Sequence, residues 1–320
     1  MGRELQSSVR KVMARERVTP ASTNARTRAH ARSGADKNDR DQDGWRQPVA
    51  GHAPVRGASA KQGVVRVSVV IPTLNEAKNL PYVFTTLPSW LDEVILVDGN
   101  SVDDTVAVAQ SLRGDIRIVG QSGYGKGNAL IAGFSSCTGD IIVMLDADGS
   151  MDGAEIEDFV AVLENGADFA KGSRFKDGGG STDITRIRRW GNRLLSMTVN
   201  VLFGTRYTDL CYGYNAFWAR HLDLLQLDCA GFEVETLMNI RIARAGLKVE
   251  EVSSYEHSRI HGVSNLRVLR TGSRITAVIA REWVAQLRTR KLNLLQKAIS
   301  DPVISAATFD DAPSPEAPAS

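Results

Sequence analysis

A short apolar run at residues 141–145, followed at once by two aspartates, is the feature that most restricts how this chain can fold. The run reads Ile-Ile-Val-Met-Leu, and Asp146 and Asp148 come next, one residue apart. A continuous apolar segment of this length is typical of a strand buried on both faces of a parallel sheet. Ligands bind to such sheets just outside the carboxyl ends of the strands. Because paired carboxylates can hold a hard divalent cation against phosphates, we predict a metal site for a diphosphate here. The alternative is a loop with two solvated acids.

Segments typical of strands and helices alternate between residues 64 and 172. We predict strands at 64–71, 93–97, 115–119, 141–145 and 169–172, and helices at 75–87, from 101 onward, at 128–136 and at 154–164. Pro72 should end the first strand because proline lacks the N–H that a strand ladder needs, and Ser101 should cap the second helix. The alternation predicts an α/β fold with a mostly parallel, doubly wound sheet and helices on both faces.

The second half of the chain has a different pattern. We predict a long helix with a basic start at 184–203, an extended aromatic-rich segment at 210–218, a helix at 232–245, an edge strand at 248–252 and a basic amphipathic helix at 266–290. Basic amphipathic helices can lie on anionic bilayers. The alternative for both basic helices is that their apolar faces pack on the sheet and their charged faces point to water.

Both ends of the chain differ in composition from the middle. Residues 1–62 contain 13 Lys/Arg against 6 Asp/Glu, and the remaining residues contain 26 against 31, so a basic tail precedes a mildly acidic body. The tail has little apolar periodicity, and we expect it to be disordered, as we do the Pro/Ala/Ser-rich end of the 291–320 segment. No apolar run reaches the ~18–20 residues that span a bilayer. The three cysteines lack metal-ligand spacing, which indicates reduced thiols in a cytoplasmic protein.

Polar residues follow each of the predicted parallel strands. They lie in the segment Pro72–Glu76, in Asp98–Ser101, in the glycine-rich turn that contains Lys126, and in Asp146–Asp148. Because parallel strands point the same way, these four loops should converge on one ligand. The carboxylates of Glu76 and Asp98 are suited to accept hydrogen bonds from a base N–H and from ribose hydroxyls, and Lys126 can reach a base carbonyl or a phosphate.

This constellation resembles the nucleotide-sugar domain of family 2 glycosyltransferases, which have the GT-A fold. More narrowly, it resembles the branch that transfers mannose or glucose to polyprenol (dolichol) phosphate. The matching segments are Val69–Glu76, Val97–Thr105, Gly125–Ala129, Asp146–Gly149, Gly172–Phe175, Thr208–Phe217 and Gly231–Glu235. The resemblance runs from about Val67 to Arg267, and the order and spacing of the motifs are more specific than any one of them.

The resemblance implies an inverting enzyme that moves a hexose from a UDP- or GDP-linked sugar to an acceptor, with Mg²⁺ or Mn²⁺ as cofactor. Polyprenyl phosphate is the expected acceptor, and a hydroxyl of a soluble glycan or small molecule is the alternative. It implies one GT-A domain at 63–290, with a nucleotide-binding half at about 64–150, an acceptor half at about 151–290, and tails at 1–62 and 291–320. The predicted nucleotide-sugar residues are Pro72, Asn75, Glu76, Asp98, Lys126 and Asp146; the metal ligands are Asp146 and Asp148; and the catalytic residues are Asp148, Arg174 and Asp209. Arg174 is expected to meet phosphate oxygens.

The acceptor decides whether a base is needed. A polyprenyl phosphate is already anionic near neutral pH, whereas a hydroxyl of a soluble glycan or small molecule must lose a proton to a carboxylate within ~2.6–3.2 Å. Asp209 is the first choice for that base, with Glu233 and Glu235 behind it. Glu233 and Glu235 should point to different sides of their helix, so at most one should line the cleft.

A basic segment near the C-terminus, residues 256–265, resembles the part of the family that closes over the phosphates. Arg259, His261 and Glu233 are predicted to contact the acceptor or its phosphate, and His257 or His261 is an alternative metal ligand. Asn265 stands where a lysine is usual, and Gly149-Ser150 stands where the mannosyltransferases carry Gln or Glu after Asp-Ala-Asp. These differences leave the sugar and the lipid acceptor open. We expect a cytoplasmic protein that is peripheral at the inner face of the cell membrane.

Two other functions compete with this one. A sugar nucleotidyltransferase normally carries a glycine-rich basic loop after its first strand, but Pro72–Glu76 has neither glycine nor a basic residue. A non-catalytic module that binds nucleotide sugar or nucleic acid is the second alternative. Aromatic residues make up 6% of the chain and do not alternate with basic runs, so we expect no nucleic-acid partner. No G-x-G-x-x-G follows the first strand, which argues against a dinucleotide-binding dehydrogenase.

Overall fold

The computed structural model describes residues 64–262 and 268–300. The segments predicted to be disordered, at 1–62 and 310–320, and the family difference at Asn265 lie outside these residues. The helices are α1 Leu80–Thr86, α2 Thr105–Leu112, α3 Lys126–Phe134, α4 Ile156–Glu164, α5 Arg186–Phe203, α6 Leu222–Leu225, α7 Val234–Arg244 and α8 Val268–Ser300. The strands are β1 Val67–Thr73, β2 Glu93–Asp98, β3 Arg117–Gly120, β4 Ile141–Met144, β5 Phe169–Ser173, β6 Gly180–Ser181, β7 Asn215–Trp218, β8 Val249–Ser253 and β9 Tyr255–Glu256.

Seven strands form the main sheet in the order β3-β2-β1-β4-β7-β5-β8. β7 runs antiparallel to both β4 and β5, and the other neighbours are parallel. β8 is an edge strand, as its sequence predicts. β6 and β9 pair separately as a small parallel sheet. The predicted α/β fold with a mostly parallel sheet is therefore confirmed.

Helices cover both faces of this sheet because the buried residues of its strands alternate between two apolar clusters. Val69 and Ile71 face a cluster that also contains residues of α1, α2 and α4. Val70 faces the other cluster, which contains residues of α3, α7 and α8. A third, smaller cluster joins α5, α7 and α8 through Val199, Ile240 and neighbouring residues. Each face of the sheet is thus buried, which explains the continuous apolar runs of its parallel strands.

Several predicted ends of strands and helices differ from the observed ones. β1 continues through Pro72 to Thr73, because β4 ends opposite Val70 and no longer needs an N–H donor from residue 72. Ser101 does not cap α2, which begins at Thr105. The Ser101 hydroxyl instead accepts a hydrogen bond from the Asn75 N–H at 2.9 Å. The last helix continues to Ser300, beyond the predicted end at residue 290.

None of the helices within 64–262 and 268–300 is long and apolar enough to cross a bilayer.

Candidate active site

Lys126 joins two carboxylates at the carboxyl end of the sheet. It is the first residue of α3, directly after Gly125, whose φ of 93° suits glycine. The Lys126 ammonium lies 2.6 Å from Asp146, which follows β4, and 2.6 Å from Glu235 in the first turn of α7. Burial alone would lower the pKa of Lys126, but the two carboxylates outweigh it and raise that pKa, so the lysine is charged.

The backbone at Gly213 closes over this cluster. A Cβ atom at residue 213 would lie 2.7 Å from both the Glu235 carboxylate and the Lys126 ammonium, so a side chain there would displace the pair. Glu235 is 5% exposed, and burial raises the pKa of its carboxyl despite the neighbouring lysine. The sequence ranked Glu235 only as a minor candidate base, and it gave no signal for its ion pair with Lys126.

Arg259 joins the second predicted metal ligand to the loop after β1. Its guanidinium lies 2.9 Å from the Asp148 carboxylate and 2.9 Å from the Glu76 carboxylate. Asn79 donates a hydrogen bond to Glu76. Burial raises the pKa of Glu76, although the bonds from Asn79 and Arg259 partly offset it. Two predicted nucleotide or metal residues and one predicted phosphate residue therefore meet at one point.

His261 lies beside this point through its backbone. Its N–H donates to the Asn79 side-chain oxygen at 2.9 Å, and its carbonyl accepts from the Asn79 amide at 3.1 Å. The imidazole lies against the Tyr82 ring, with 5.9 Å between the centroids. Asn79 therefore ties the predicted closing segment to the start of α1, and no sequence motif indicated that residue.

The remaining predicted nucleotide residues lie in the two adjoining loops. Ser101 links them: its N–H donates to the Asp98 carboxylate at 3.2 Å, and its hydroxyl accepts from the N–H of Asn75. Asn75 has a left-handed backbone (φ 59°), and its side-chain oxygen accepts from the Val102 N–H at 2.8 Å. Pro72 lies at the end of β1, opposite Val97 of β2. The strand ends thus converge as the parallel sheet requires.

Arg174 and Asp209 form a buried ion pair. Arg174 Nε lies 2.7 Å from Asp209 Oδ2, Arg174 Nη2 lies 3.0 Å from Asp209 Oδ1, and Arg174 Nη1 lies 3.0 Å from Glu256. Asp209 is fully buried and Arg174 is 5% exposed. The guanidinium also lies over the Tyr212 ring, 4.7 Å from its centroid. The N–H donors of the Arg174 guanidinium are thus already hydrogen-bonded to carboxylates inside the protein.

This geometry corrects two predicted roles. Burial would raise the pKa of the Asp209 carboxyl, but the charge and hydrogen bonds of Arg174 outweigh it and hold that pKa below its ordinary value. A buried, ion-paired carboxylate of lowered pKa is a poor acceptor for the proton of a hydroxyl. Asp209 is therefore unsuited to act as a general base, and Arg174 is unsuited to touch a phosphate directly. Both hold β5, the loop after α5 and β9 together.

Glu233 lies next to the helix that carries Glu235 but faces a different neighbour. One of its carboxylate oxygens accepts from the Gly231 N–H at 3.2 Å. The other is buried without a hydrogen-bond partner among the described residues. The two glutamates therefore face different neighbours, and only Glu235 is linked through Lys126 to Asp146, one of the two strand-end acids Asp146 and Asp148.

The carboxylates of Asp146 and Asp148 suit a hard cation that takes further ligands from a diphosphate. The described residues contain no group of three or more His, Cys, Asp or Glu side chains able to enclose a metal. Asp146 and Asp148 are each paired with a side-chain cation, and both carboxylates act electrostatically on Arg259. Two adjacent carboxylates fit Mg²⁺ or Mn²⁺, which usually takes its other ligands from phosphates and water.

Comparisons with known proteins show the family to which the chain belongs. A family model described as glycosyl transferase family 2 matches residues 68–226. Polyprenol monophosphomannose synthase of Mycolicibacterium smegmatis is 30% identical over 259 residues, which cover 75% of this chain and 93% of that protein. Glycosyltransferase AglJ of Haloferax volcanii is 30% identical over 212 residues, 64% of this chain and 68% of that protein.

A solved structure shares the fold. It is glucosyl-3-phosphoglycerate synthase from Mycobacterium tuberculosis, in complex with Mn²⁺, UDP-glucose and phosphoglyceric acid. The TM-score is 0.55 at 23% identity, with 69% of this chain and 80% of that chain covered. At this identity the likeness extends to the fold alone.

Proposed function

The chain belongs to glycosyltransferase family 2 and has the GT-A fold, and from this premise we propose that it transfers a hexose from a UDP- or GDP-linked sugar to polyprenyl phosphate, with inversion. The observation that carries the proposal is the meeting of Asp146, Asp148, Lys126 and Arg259 at the carboxyl end of the sheet. A relative named for polyprenol monophosphomannose synthesis, similar over most of its length, supports the choice of acceptor.

The proposed cofactor is Mg²⁺ or Mn²⁺, which Asp146 and Asp148 would hold. When bound, the cation would stabilise the negative charge of the departing diphosphate. Lys126 holds Asp146 in place from the buried side, and Glu235 holds Lys126. Because Arg259 lies on Asp148 and Glu76, it is close enough to exchange these carboxylates for phosphate oxygens of the donor. A guanidinium already aimed at the leaving group stabilises the transition state selectively.

The environment of the predicted bases favours a phosphate acceptor. Asp209 and Glu235 are buried and ion-paired, and Glu233 accepts a backbone N–H. A hydroxyl acceptor would need one of these acids to take its proton, whereas a phosphate oxygen attacks without losing one. The acceptor would then lie in a membrane, which agrees with a peripheral protein at the cytoplasmic face.

The test is a transfer assay with a panel of UDP- and GDP-sugars, read by mass spectrometry. Short polyprenyl phosphate and hydroxyl acceptors are offered in parallel, with Mn²⁺ or with EDTA. We expect product only on the phosphate and only with metal. Asp148→Asn should lower turnover by about 10²–10³-fold, while the matched control Glu164→Gln, an exposed acid at the end of α4, leaves it unchanged.

Three outcomes separate this proposal from others. Near-wild-type turnover of Asp148→Asn would remove the metal argument. Product on a hydroxyl acceptor alone would replace the lipid acceptor with a soluble one. Tight donor binding without turnover on any acceptor would indicate a binding module.

A further inference from the structure

Helix α5 presents an apolar stripe to solvent. Ile187, Trp190, Leu194, Met197 and Val201 are between 57% and 82% exposed. Their spacing of three and four residues places them on one face of the helix. Apolar side chains scattered singly over a surface are ordinary, but five in a continuous row form a patch of the kind that marks an interaction site.

The opposite face of α5 explains why the stripe points outward. That face is buried through Asn192, Ser196 and Val199. The Asn192 side-chain oxygen accepts from the Cys211 N–H at 3.0 Å, and the Ser196 hydroxyl accepts from the Leu210 N–H at 3.2 Å. Rotating the helix to bury its apolar stripe would break both bonds and leave the N–H groups of Leu210 and Cys211 without these hydrogen-bond partners. The fold thus fixes the polar side inward and the apolar side outward.

The charge of α5 indicates which kind of partner could cover the apolar stripe. The helix contains four arginines, at 186, 188, 189 and 193, and no acidic residue. Arg188 pairs with Asp183, whereas Arg186 and Arg193 are exposed and each precedes a member of the stripe by one position. Along a helix these two arginines therefore border the stripe on the same side. A partner that complements the stripe and its arginines has an apolar interior and an anionic surface.

The start of α5 is joined to the candidate active site. Strand β6 lies five residues before α5 and pairs with β9. The Ser181 hydroxyl donates to Glu256, and the Thr182 N–H donates to the Glu256 carbonyl at 2.9 Å. Arg259, the partner of Asp148, follows Glu256 by three residues. The basic end of the helix is therefore tied to the segment that reaches the strand-end acids.

From these observations we propose that the exposed stripe of α5, with its bordering arginines, docks on an anionic lipid bilayer. The inference deepens the proposed function, on which the choice of a membrane as partner rests. Anionic bilayers combine an apolar interior with a negative surface, which matches the stripe and the arginines together. A second copy of the chain fits less well, because pairing α5 with α5 brings the arginines of both copies together without a carboxylate from either helix.

The experiment is co-flotation of the full chain with vesicles of phosphatidylglycerol and phosphatidylcholine in equal parts, without donor or acceptor. We expect the protein to float with these vesicles and to remain below vesicles of phosphatidylcholine alone. Trp190→Ser combined with Leu194→Ser should lower the bound fraction by about tenfold or more. The control Leu224→Ser, an exposed leucine outside α5, should float as the wild type does.

Two further measurements keep this result distinct from the proposed reaction. Transfer to a short, water-soluble polyprenyl phosphate should be unchanged in the Trp190/Leu194 variant, since the stripe does not touch the strand-end acids. Wild-type protein that stays below the anionic vesicles while retaining transfer would overturn the docking inference and leave the reaction intact. Sedimentation that shows a wild-type dimer and a monomeric variant, with flotation unaffected, would also overturn it and assign the stripe to self-association.

Discussion

Removing the charge of Asp209 should destabilise the protein. Asp209 is fully buried and accepts bonds of 2.7, 3.0 and 3.2 Å from Arg174. In Asp209→Asn the guanidinium stays buried and keeps only Glu256 as a charged partner. Breaking a buried ion pair costs about 3–5 kcal/mol. Because Glu256 remains, we expect the free energy of unfolding to fall by about 3 kcal/mol.

Urea unfolding at neutral pH measures this loss. The control is Asp177→Asn, an exposed acid in the loop after β5, which should stay within about 0.5 kcal/mol of the wild type. The loss should also depend on pH, because pairing with Arg174 outweighs burial and lowers the pKa of Asp209. A lowered pKa means that the stabilisation is complete above the unfolded pKa of about 3.9 and fades as the pH falls below it. The difference between wild type and Asp209→Asn should therefore shrink in acid.

The refuting result for Asp209 is specific. An unfolding free energy within about 1 kcal/mol of wild type, together with a large loss of transfer to a hydroxyl acceptor and of the acid limb of the pH–rate profile, would restore Asp209 as a general base.

Two further predictions concern the other acids. Arg259→Gln removes the guanidinium that pairs with Asp148 and Glu76, so Mn²⁺ should bind the donor-free protein about tenfold more tightly by calorimetry; equal or weaker binding would contradict the pairing. Burial raises the pKa of Glu155 from 4.5 to about 7, so the folded state holds a proton that the unfolded chain loses between these values. Stability should therefore fall by ~3 kcal/mol as the pH rises from about 4.5 to 7. Glu155→Gln should remove that slope in urea unfolding, and an unchanged slope would refute the assignment.

Much of the sheet could be predicted from the sequence because burial on both faces leaves a local mark. β2 and β4 contain continuous apolar runs, and the predicted bounds of β2, β4 and β5 lie within one residue of the observed ones. The antiparallel insertion of β7 between β4 and β5 left no such mark. An extended segment at 210–218 was predicted, but strand partners depend on contacts between distant parts of the chain, which periodicity does not encode.

In the candidate site too, some features could be predicted from the sequence and others could not. Parallel strands fix the direction of their ends, so the meeting of the loops with Asp98 and Asp146 followed from topology alone. The pairing of each acid with a particular cation did not follow, because Arg259 and Asp148 are far apart in sequence. Arg174 and Asp209 were placed at the site because they lie in segments that resemble motifs of the family, and such motifs do not show whether a side chain is exposed. Their mutual pairing allows both to be buried instead.

The charges at the candidate site explain why a divalent cation and Arg259 would act together. Lys126 is shared by Asp146 and Glu235, and Arg259 is shared by Asp148 and Glu76. With all four carboxylates ionised, the two cations leave a formal charge of −2, which one divalent ion would balance. An incoming diphosphate then brings new negative charge, and Arg259 is the cation best placed to follow it because Lys126 is held on the buried side. Metal and donor would therefore bind cooperatively. The cation would offset the negative charge of the carboxylates and the diphosphate, and the diphosphate would draw Arg259 away from the carboxylates that would hold the cation.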